Sequence, residues 1–312
     1  MSSEVDVTAF GDLLMPQEAA EPILAKPVRG ALLEWLTEIW AEDELRAAKL
    51  QPRRRAIFDG PPGVGKTTLA HHLSARLGLP MLAVRPDRLV DKWLGSTGKN
   101  IGALFDAASR GKEPILLFLD EFDAIGMKRR EASQGAEDER NSFVNTLLQC
   151  IDRFDGFLIA ATNFSGHIDR AIWRRFDVHI SLALPGQFER ERILARYLDP
   201  HGLPSSALTA MAEALETASP ALIRQLAEGL KRQIIIGPKV GWDMAKGAVV
   251  DRLLAAIQPH PDLGKPRLWS LGAADSAVRA LPWPLPLAAD CSGAAENAPE
   301  SESAVVPFRR AP

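Results

Sequence analysis

Eight consecutive residues, Gly60-Pro61-Pro62-Gly63-Val64-Gly65-Lys66-Thr67, set three glycines, a lysine and a threonine at a spacing suited to gripping a polyphosphate. Without Cβ atoms at 60, 63 and 65, backbone N–H groups can converge on phosphate oxygens, while the Lys66 ammonium can reach the β- and γ-phosphates. Thr67, at the start of a helix, can offer its hydroxyl to a magnesium ion. A second cluster, Asp120-Glu121, ends the apolar run 115–119. Acids at the carboxyl end of a buried strand point into the crevice where α/β folds bind ligands. Asp120 would hold the magnesium ion through its water shell, and Glu121 would polarise the water that attacks a γ-phosphate. Asn163, just beyond the apolar run 157–161, would orient that water and sense the γ-phosphate; taken alone it reads as an ordinary turn residue.

These side chains need a sheet to bring them together. Apolar runs at 56–59, 81–84, 115–119, 157–161 and 178–182 alternate with amphipathic stretches, the pattern of a parallel sheet with crossover helices. The runs at 115 and 157 are almost wholly apolar, which predicts central strands covered on both faces. A helix is predicted over 66–77, with Leu69, Ala70, Leu73 and Leu77 on one face and Gly78 as its stop. Trp35, Leu36 and Ile39 at helical spacing predict a further helix packed on the nucleotide domain. From 188 to about 258 the strand signals vanish and three or four amphipathic helices remain, so a small all-helical second domain is expected, with Pro185-Gly186 at the boundary. The last 54 residues hold nine of the 23 prolines, a composition that predicts a largely irregular tail. Within it, Trp269 and the 281–287 segment, with prolines at 282, 284 and 286, read either as an extended docking strip or as a strip folded back on its own ATPase domain. The domain division is thus 1–50 for an N-terminal segment and helix, 51–186 for the nucleotide-binding α/β domain, 187–262 for a helical lid and 263–312 for the tail.

Composition narrows the classes. With 46% hydrophobic and 25% charged residues, a chain of 312 residues can bury a sizeable core and make about two domains. No apolar run approaches the ~18 residues needed to span a bilayer, and the N-terminus lacks the basic-then-apolar order of a secretory signal, so a cytoplasmic location without membrane contact is expected. A net charge of -3 lacks the broad basic footprint of a dedicated nucleic-acid binder, leaving only a local patch open. Cys150 and Cys291 are too few and too far apart for a disulfide framework or zinc cluster, and His71-His72 read as partly buried helix surface rather than metal ligands.

The phosphate loop 60–67, the run Asp120-Glu121-Phe122-Asp123-Ala124-Ile125, Asn163, and the stretch Ile168-Asp169-Arg170-Ala171-Ile172-Trp173-Arg174-Arg175-Phe176-Asp177 together resemble the AAA branch of the AAA+ ATPases, over roughly residues 27–258. The resemblance implies a five-stranded parallel sheet with flanking helices, a helical lid, and a ring, usually a homohexamer, with ATP and Mg²⁺ between subunits. It carries nucleotide contacts onto Gly60, Pro61, Pro62, Gly63, Val64, Gly65, Lys66, Thr67, Thr68 and Asp120. Arg174 and Arg175 match the position whose cation reaches the neighbouring subunit's γ-phosphate; they are adjacent here, where many members separate them, so either could be that finger. Asp91-Lys92-Trp93-Leu94-Gly95 matches the pore-loop pattern, in which Lys92, Trp93, Leu94 and Gly95 would grip extended polypeptide; alternatively Trp93 is a core anchor. The charge run 137–140, ahead of a helix over 141–151, falls where the family has a second pore loop, though charge runs are also solvated faces.

In the lid, Ser219-Pro220 reads as an N-cap with proline at the first helical position, after which Arg224 would point at the phosphates or simply lie exposed. No His-Glu-x-x-His occurs, so a protease or adaptor would come from another chain. The favoured expectation is an ATP-driven unfoldase pulling protein substrates through its ring. The alternative is a nucleotide-controlled assembly or loader ATPase on a nucleic-acid or defence complex. A P-loop kinase fits poorly, since it leaves Asn163 and the arginine pair without a role.

Overall fold

A computed structural model describes residues 7–89, 96–111, 113–123 and 134–288, the side chains of 96, 97 and 134–142 excepted. All five apolar runs form strands: β2 (Arg55–Asp59), β3 (Met81–Val84), β4 (Leu116–Leu119), β5 (Phe157–Thr162) and β6 (Val178–Ser181). They are parallel, but the sheet has six strands in the order β1-β3-β4-β5-β2-β6. The added one, β1 (Gly11–Leu14), runs antiparallel to β3 at the edge, pairing Gly11 with Val84 and Leu14 with Met81. The five-strand expectation is therefore extended by an edge strand from the N-terminal segment. Four residues with one glycine and one aspartate carry too little periodicity to announce it.

Parallel strands covered on both faces explain the unbroken apolar runs. Successive side chains alternate between two cores. Ile57, Leu82, Leu117, Leu119, Leu158 and Ala160 face one, shared with Leu104 and Phe105 of the helix Ser96–Arg110 and with Leu147 and Ile151 of the helix Gln134–Arg153. Phe58, Met81, Leu116, Phe118, Ile159 and Ala161 face the other, with Leu69 and Leu73 of the helix Lys66–Leu77 and with Trp35, Leu36 and Ile39 of α1 (Lys26–Trp40). Burial of each large side chain contributes roughly 1.5–3 kcal/mol. The predicted helix 66–77 has those bounds, and Gly78 ends it in the left-handed region at φ 71°. The helix expected over 141–151 extends over Gln134–Arg153, so 137–140 lie within it rather than ahead of it; the acids of that run suit a helix's early turns.

The chain divides into two compact units, the first reaching Glu189 and including Thr217–Leu222, the second made of Arg190–Glu216 and the residues from Ile223 onward. Regular structure in the second is helical: most of Gln187–Leu198, then Ser205–Ala214, most of Pro220–Ile236, and Lys246–Ala256. Residues 267–288, which composition places in an irregular tail, are built into this unit. Two short helices, Arg267–Leu271 and Ser276–Ala280, bury Leu268, Ala277 and Val278, and Leu281 and Leu285 of the proline-rich strip are buried as well. Prolines stop helices but leave carbonyls to be satisfied, and side chains do this here. Lys246 Nζ donates to the carbonyls of Arg279 (2.9 Å) and Leu281 (2.8 Å), while Trp283 Nε1 donates to Met244 O at 2.8 Å. Pro286 O accepts from Gly202 N–H at 3.1 Å. Of the two readings of the 281–287 strip, folding back is the one realised, onto the helical unit. No described helix is long and apolar enough to cross a membrane.

Candidate active site

Parallel register brings the polar strand ends to one edge of the sheet. Asp59 pairs with Thr162 on one side and Ser181 on the other, while β4 ends beside Ala160. The phosphate loop leaves β2 here and enters the helix Lys66–Leu77. At Gly60 an added Cβ would overlap the Leu182 carbonyl oxygen, and Gly65 adopts φ 97°, so a side chain is excluded at 60 by crowding and disfavoured at 65 by backbone conformation. The bend is pinned by Leu182 N–H donating to Asp59 O (2.7 Å) and by Ala221 N–H donating to Gly63 O (3.1 Å).

Lys66 is 8% exposed, and its ammonium donates to Gly60 O (2.7 Å), Pro61 O (3.0 Å) and Asn163 Oδ1 (2.7 Å). Burial holds its pKa below the ordinary lysine value, opposed by the charges of Asp120, Asp123 and Asp59. The loop, its lysine and the amide that follows β5 thus meet at one point. Thr67 Oγ1 donates to Asp120 Oδ2 at 2.7 Å. A hydroxyl beside a carboxylate is an all-oxygen donor set, suited to a hard divalent cation that keeps most of its water. The residues present fit a nucleoside triphosphate with Mg²⁺: a bare backbone cradle, a buried cation and this oxygen pair.

Glu121 follows with φ 47°, a left-handed conformation that costs a non-glycine residue about 1–3 kcal/mol. Its N–H donates to Asp120 Oδ1 at 2.9 Å, and the next residue, Phe122, is fully buried edge-on to Phe176 with ring centroids 5.8 Å apart. A strained acid held between two anchored neighbours is the arrangement expected of a group kept in place for chemistry.

The two arginines differ. Arg175 is engaged by Asp152, Nε to Oδ1 at 2.8 Å. Arg174, the C-cap of the short helix Arg170–Trp173, is exposed and makes no ion pair among the described residues. Arg224 belongs to the second unit, where its guanidinium lies 6.0 Å from the Tyr197 ring centroid and 4.0 Å from a Glu228 carboxylate oxygen. Lys92, Trp93, Leu94 and Gly95 lie outside the described residues. His71 Nε2 is 2.8 Å from Met15 O, and burial, with Arg76, lowers the pKa of His72 against the pull of Glu21. Cys150 is half-buried and its thiol pKa is raised by burial.

Asp123, which sequence reasoning includes in the run 120–125 without a role of its own, links two strand ends, since its Oδ1 accepts from Thr162 Oγ1 (2.9 Å) and from Asn163 N–H (3.2 Å). Its only signal in sequence is a third acid two positions beyond Glu121.

Comparison with known proteins places this geometry. The family model "ATPase family associated with various cellular activities (AAA)" matches residues 56–184. An uncharacterized AAA family ATPase, y4kL, of Sinorhizobium fredii is 45% identical over 148 residues, covering 47% of this chain and 44% of that protein. ATP-dependent zinc metalloprotease FtsH 1 of Symbiobacterium thermophilum is 34% identical over 54% of this chain and 29% of its own length. The proteasome-activating nucleotidase of Thermococcus onnurineus is 34% identical over 57% of this chain and 46% of its own. The chain thus spans less than half the length of each of these relatives. The crystal structure of the FIGL-1 AAA domain superposes with TM-score 0.63 at 22% identity, covering 80% of this chain and 86% of that one, a likeness of fold.

Proposed function

We propose that this chain, whose residues 56–184 match the AAA ATPase family model, hydrolyses ATP as a ring-forming motor that remodels proteins. The observation that carries the reading is the meeting of three separated segments at one sheet edge: Lys66 on Asn163, and Thr67 on Asp120. The loop N–H groups and Lys66 bind the phosphates, and Thr67 and Asp120 hold Mg²⁺, which when bound neutralises charge on the phosphate oxygens. Glu121 accepts the proton of the attacking water, and the Asn163 amide orients that water. Arg174, exposed and free of ion pairs among the described residues, suits a cation offered to a neighbour's γ-phosphate. Arg175, tied to Asp152, suits a supporting role.

Assembly and protein substrates are inferred from relatives named as a proteasome-activating nucleotidase and a metalloprotease. In this reading Trp93 grips the polypeptide. The test is Glu121→Gln: nucleotide affinity stays within about threefold while turnover falls roughly 10²–10⁴-fold, and a tagged Glu121→Gln chain retains protein substrate only with ATP present. Loss of nucleotide affinity equal to that in Lys66→Ala contradicts the assignment of Glu121. Failure of Trp93→Ala to reduce substrate processing by an active enzyme contradicts the grip.

A further inference from the structure

One carboxylate ties together the two strand ends that carry the water-facing groups. Asp123 lies just past the turn that follows β4, two residues beyond the left-handed Glu121 and next to the buried Phe122. Its Oδ1 reaches across to the end of β5, accepting from Thr162 Oγ1 at 2.9 Å and Asn163 N–H at 3.2 Å. Thr162 is fully buried, and its hydroxyl oxygen also accepts from Phe164 N–H at 3.0 Å, so residues 162, 163 and 164 are all fixed with reference to Asp123.

Asn163 is oriented as well as placed. An ammonium donates only, so the amide must turn its oxygen to Lys66, as the 2.7 Å contact shows. Both Nδ2 protons then point elsewhere, and among the described residues none accepts them. Such an amide is prepared to meet a water or a phosphate oxygen, provided the backbone at 163 does not shift.

We infer that Asp123 is a positioning residue for ATP hydrolysis, its carboxylate oxygen holding Asn163 in register with Glu121 so that amide and acid address the same water. This role rests on the ATPase reading above. Asp123 acts through the β5 end, by way of Thr162 and Asn163. Since displacement of a reacting group by about 1 Å can cost on the order of 10²-fold in rate, loss of this tether registers in turnover more than in binding.

Substitution separates geometry from charge. Asparagine at 123 keeps an oxygen that can accept the same two hydrogen bonds, whereas alanine removes both. The expected result for Asp123→Ala is kcat lower by about 10- to 100-fold, with nucleotide affinity, measured with a fluorescent ATP analogue, changed less than about threefold. Asp123→Asn is expected to recover most of the rate. Thr162→Val, which deletes one of the two donors, is expected to fall between wild type and Asp123→Ala. Circular dichroism melts of each variant identify any misfolding, and the Asn-for-Ala rescue stands whatever their stability. Two results overturn the positioning role alone: an unchanged kcat in Asp123→Ala, or Asp123→Asn as slow as Asp123→Ala, which would make the charge beside Lys66 the cause. Wild-type protein that binds Mg-ATP and never hydrolyses it overturns the ATPase reading, and this role with it.

Discussion

Two lysines in this chain do the same local task with opposite consequences. Lys66 in the first unit clamps the Gly60 and Pro61 carbonyls of the phosphate loop, and Lys246 in the second clamps the Arg279 and Leu281 carbonyls that open the proline-rich strip. One stretch is a loop and the other the end of the short helix Ser276–Ala280, prolines follow closely in both, and each uses an ammonium to satisfy backbone oxygens that no ladder reaches. The difference lies in burial and in the third partner. Lys66 is enclosed, its charged form disfavoured by burial and sustained by three surrounding aspartates, and its remaining contact is the Asn163 side chain. Lys246 is half-buried and holds carbonyls only. An enclosed cation that costs free energy to keep charged is poised to exchange neutral carbonyls for an anion; a half-solvated one is a staple.

That contrast breaks most visibly at Lys66. Lys66→Ala removes the phosphate contact and the group that orients Asn163, so ATP affinity is expected to fall by at least about 10- to 100-fold, the worth of one charge-assisted hydrogen bond lost. Turnover at attainable ATP concentrations should be undetectable. Isothermal titration and a phosphate-release assay check both, and near-normal affinity would show that the loop backbone alone grips the nucleotide.

The arginine pair sharpens the comparison, because here too one cation is free of an ion pair among the described residues and one is engaged. Arg174→Ala is expected to lower turnover by on the order of 10³-fold at nearly unchanged ATP affinity. Arg175→Ala breaks an exposed pair with Asp152 that contributes about 0.2–1 kcal/mol, and is expected to alter turnover by less than tenfold. If the site is shared between subunits, inactive Arg174→Ala and Glu121→Gln chains regain some activity when mixed. No recovery in rings demonstrated to have mixed would count against a shared site. The reverse ranking of the two single variants would make Arg175 the finger.

How much of this was legible follows the same division. The five parallel strands were readable since strands covered on both faces must be apolar throughout, and the phosphate loop since its chemistry demands glycines and a lysine at fixed spacing. Asp123 was not readable: its partners, Thr162 and Asn163, are neighbours through the β4–β5 register, and a single acid after a strand gives no hint of which strand end it meets. Residues 267–288 misled for a related reason. Their order comes from a few buried apolar side chains and from partners far away in sequence, Lys246, Met244 and Gly202, none of which changes the local composition. Arg174 and Arg175 are identical in type, and what separates them is exposure and the pairing of Arg175 with Asp152, a residue of another helix.

In the second unit the expected effects turn from activity to stability. Trp283 is half-buried, with Nε1 on Met244 O, so Trp283→Ala is expected to destabilise by about 2 kcal/mol, at the low end of large-to-small core changes. That is read as a lower melting temperature or denaturant midpoint with ATP turnover per folded molecule retained. An unchanged melting temperature would mean the strip contributes nothing to the unit that holds it.

The smallest expected effect is the one that most directly compares the two lysines. Lys246→Met keeps the aliphatic stem and deletes the ammonium, leaving the Arg279 and Leu281 carbonyls without that donor. The Arg279 contact is exposed, so water replaces it at little cost; the Leu281 contact is partly buried and is the one that counts. The net loss should be about 1 kcal/mol, a drop of a few degrees in melting temperature, with nucleotide affinity untouched. Lys66→Met, the same chemical change, is expected to do the reverse. It removes a charge whose burial is unfavourable, so the melting temperature should hold or rise, while ATP binding is lost. Measuring both quantities on both variants gives a crossed result that general destabilisation cannot mimic. Should Lys66→Met melt lower by as much as Lys246→Met, the buried lysine is a staple too, and its readiness to exchange carbonyls for phosphate has to be abandoned.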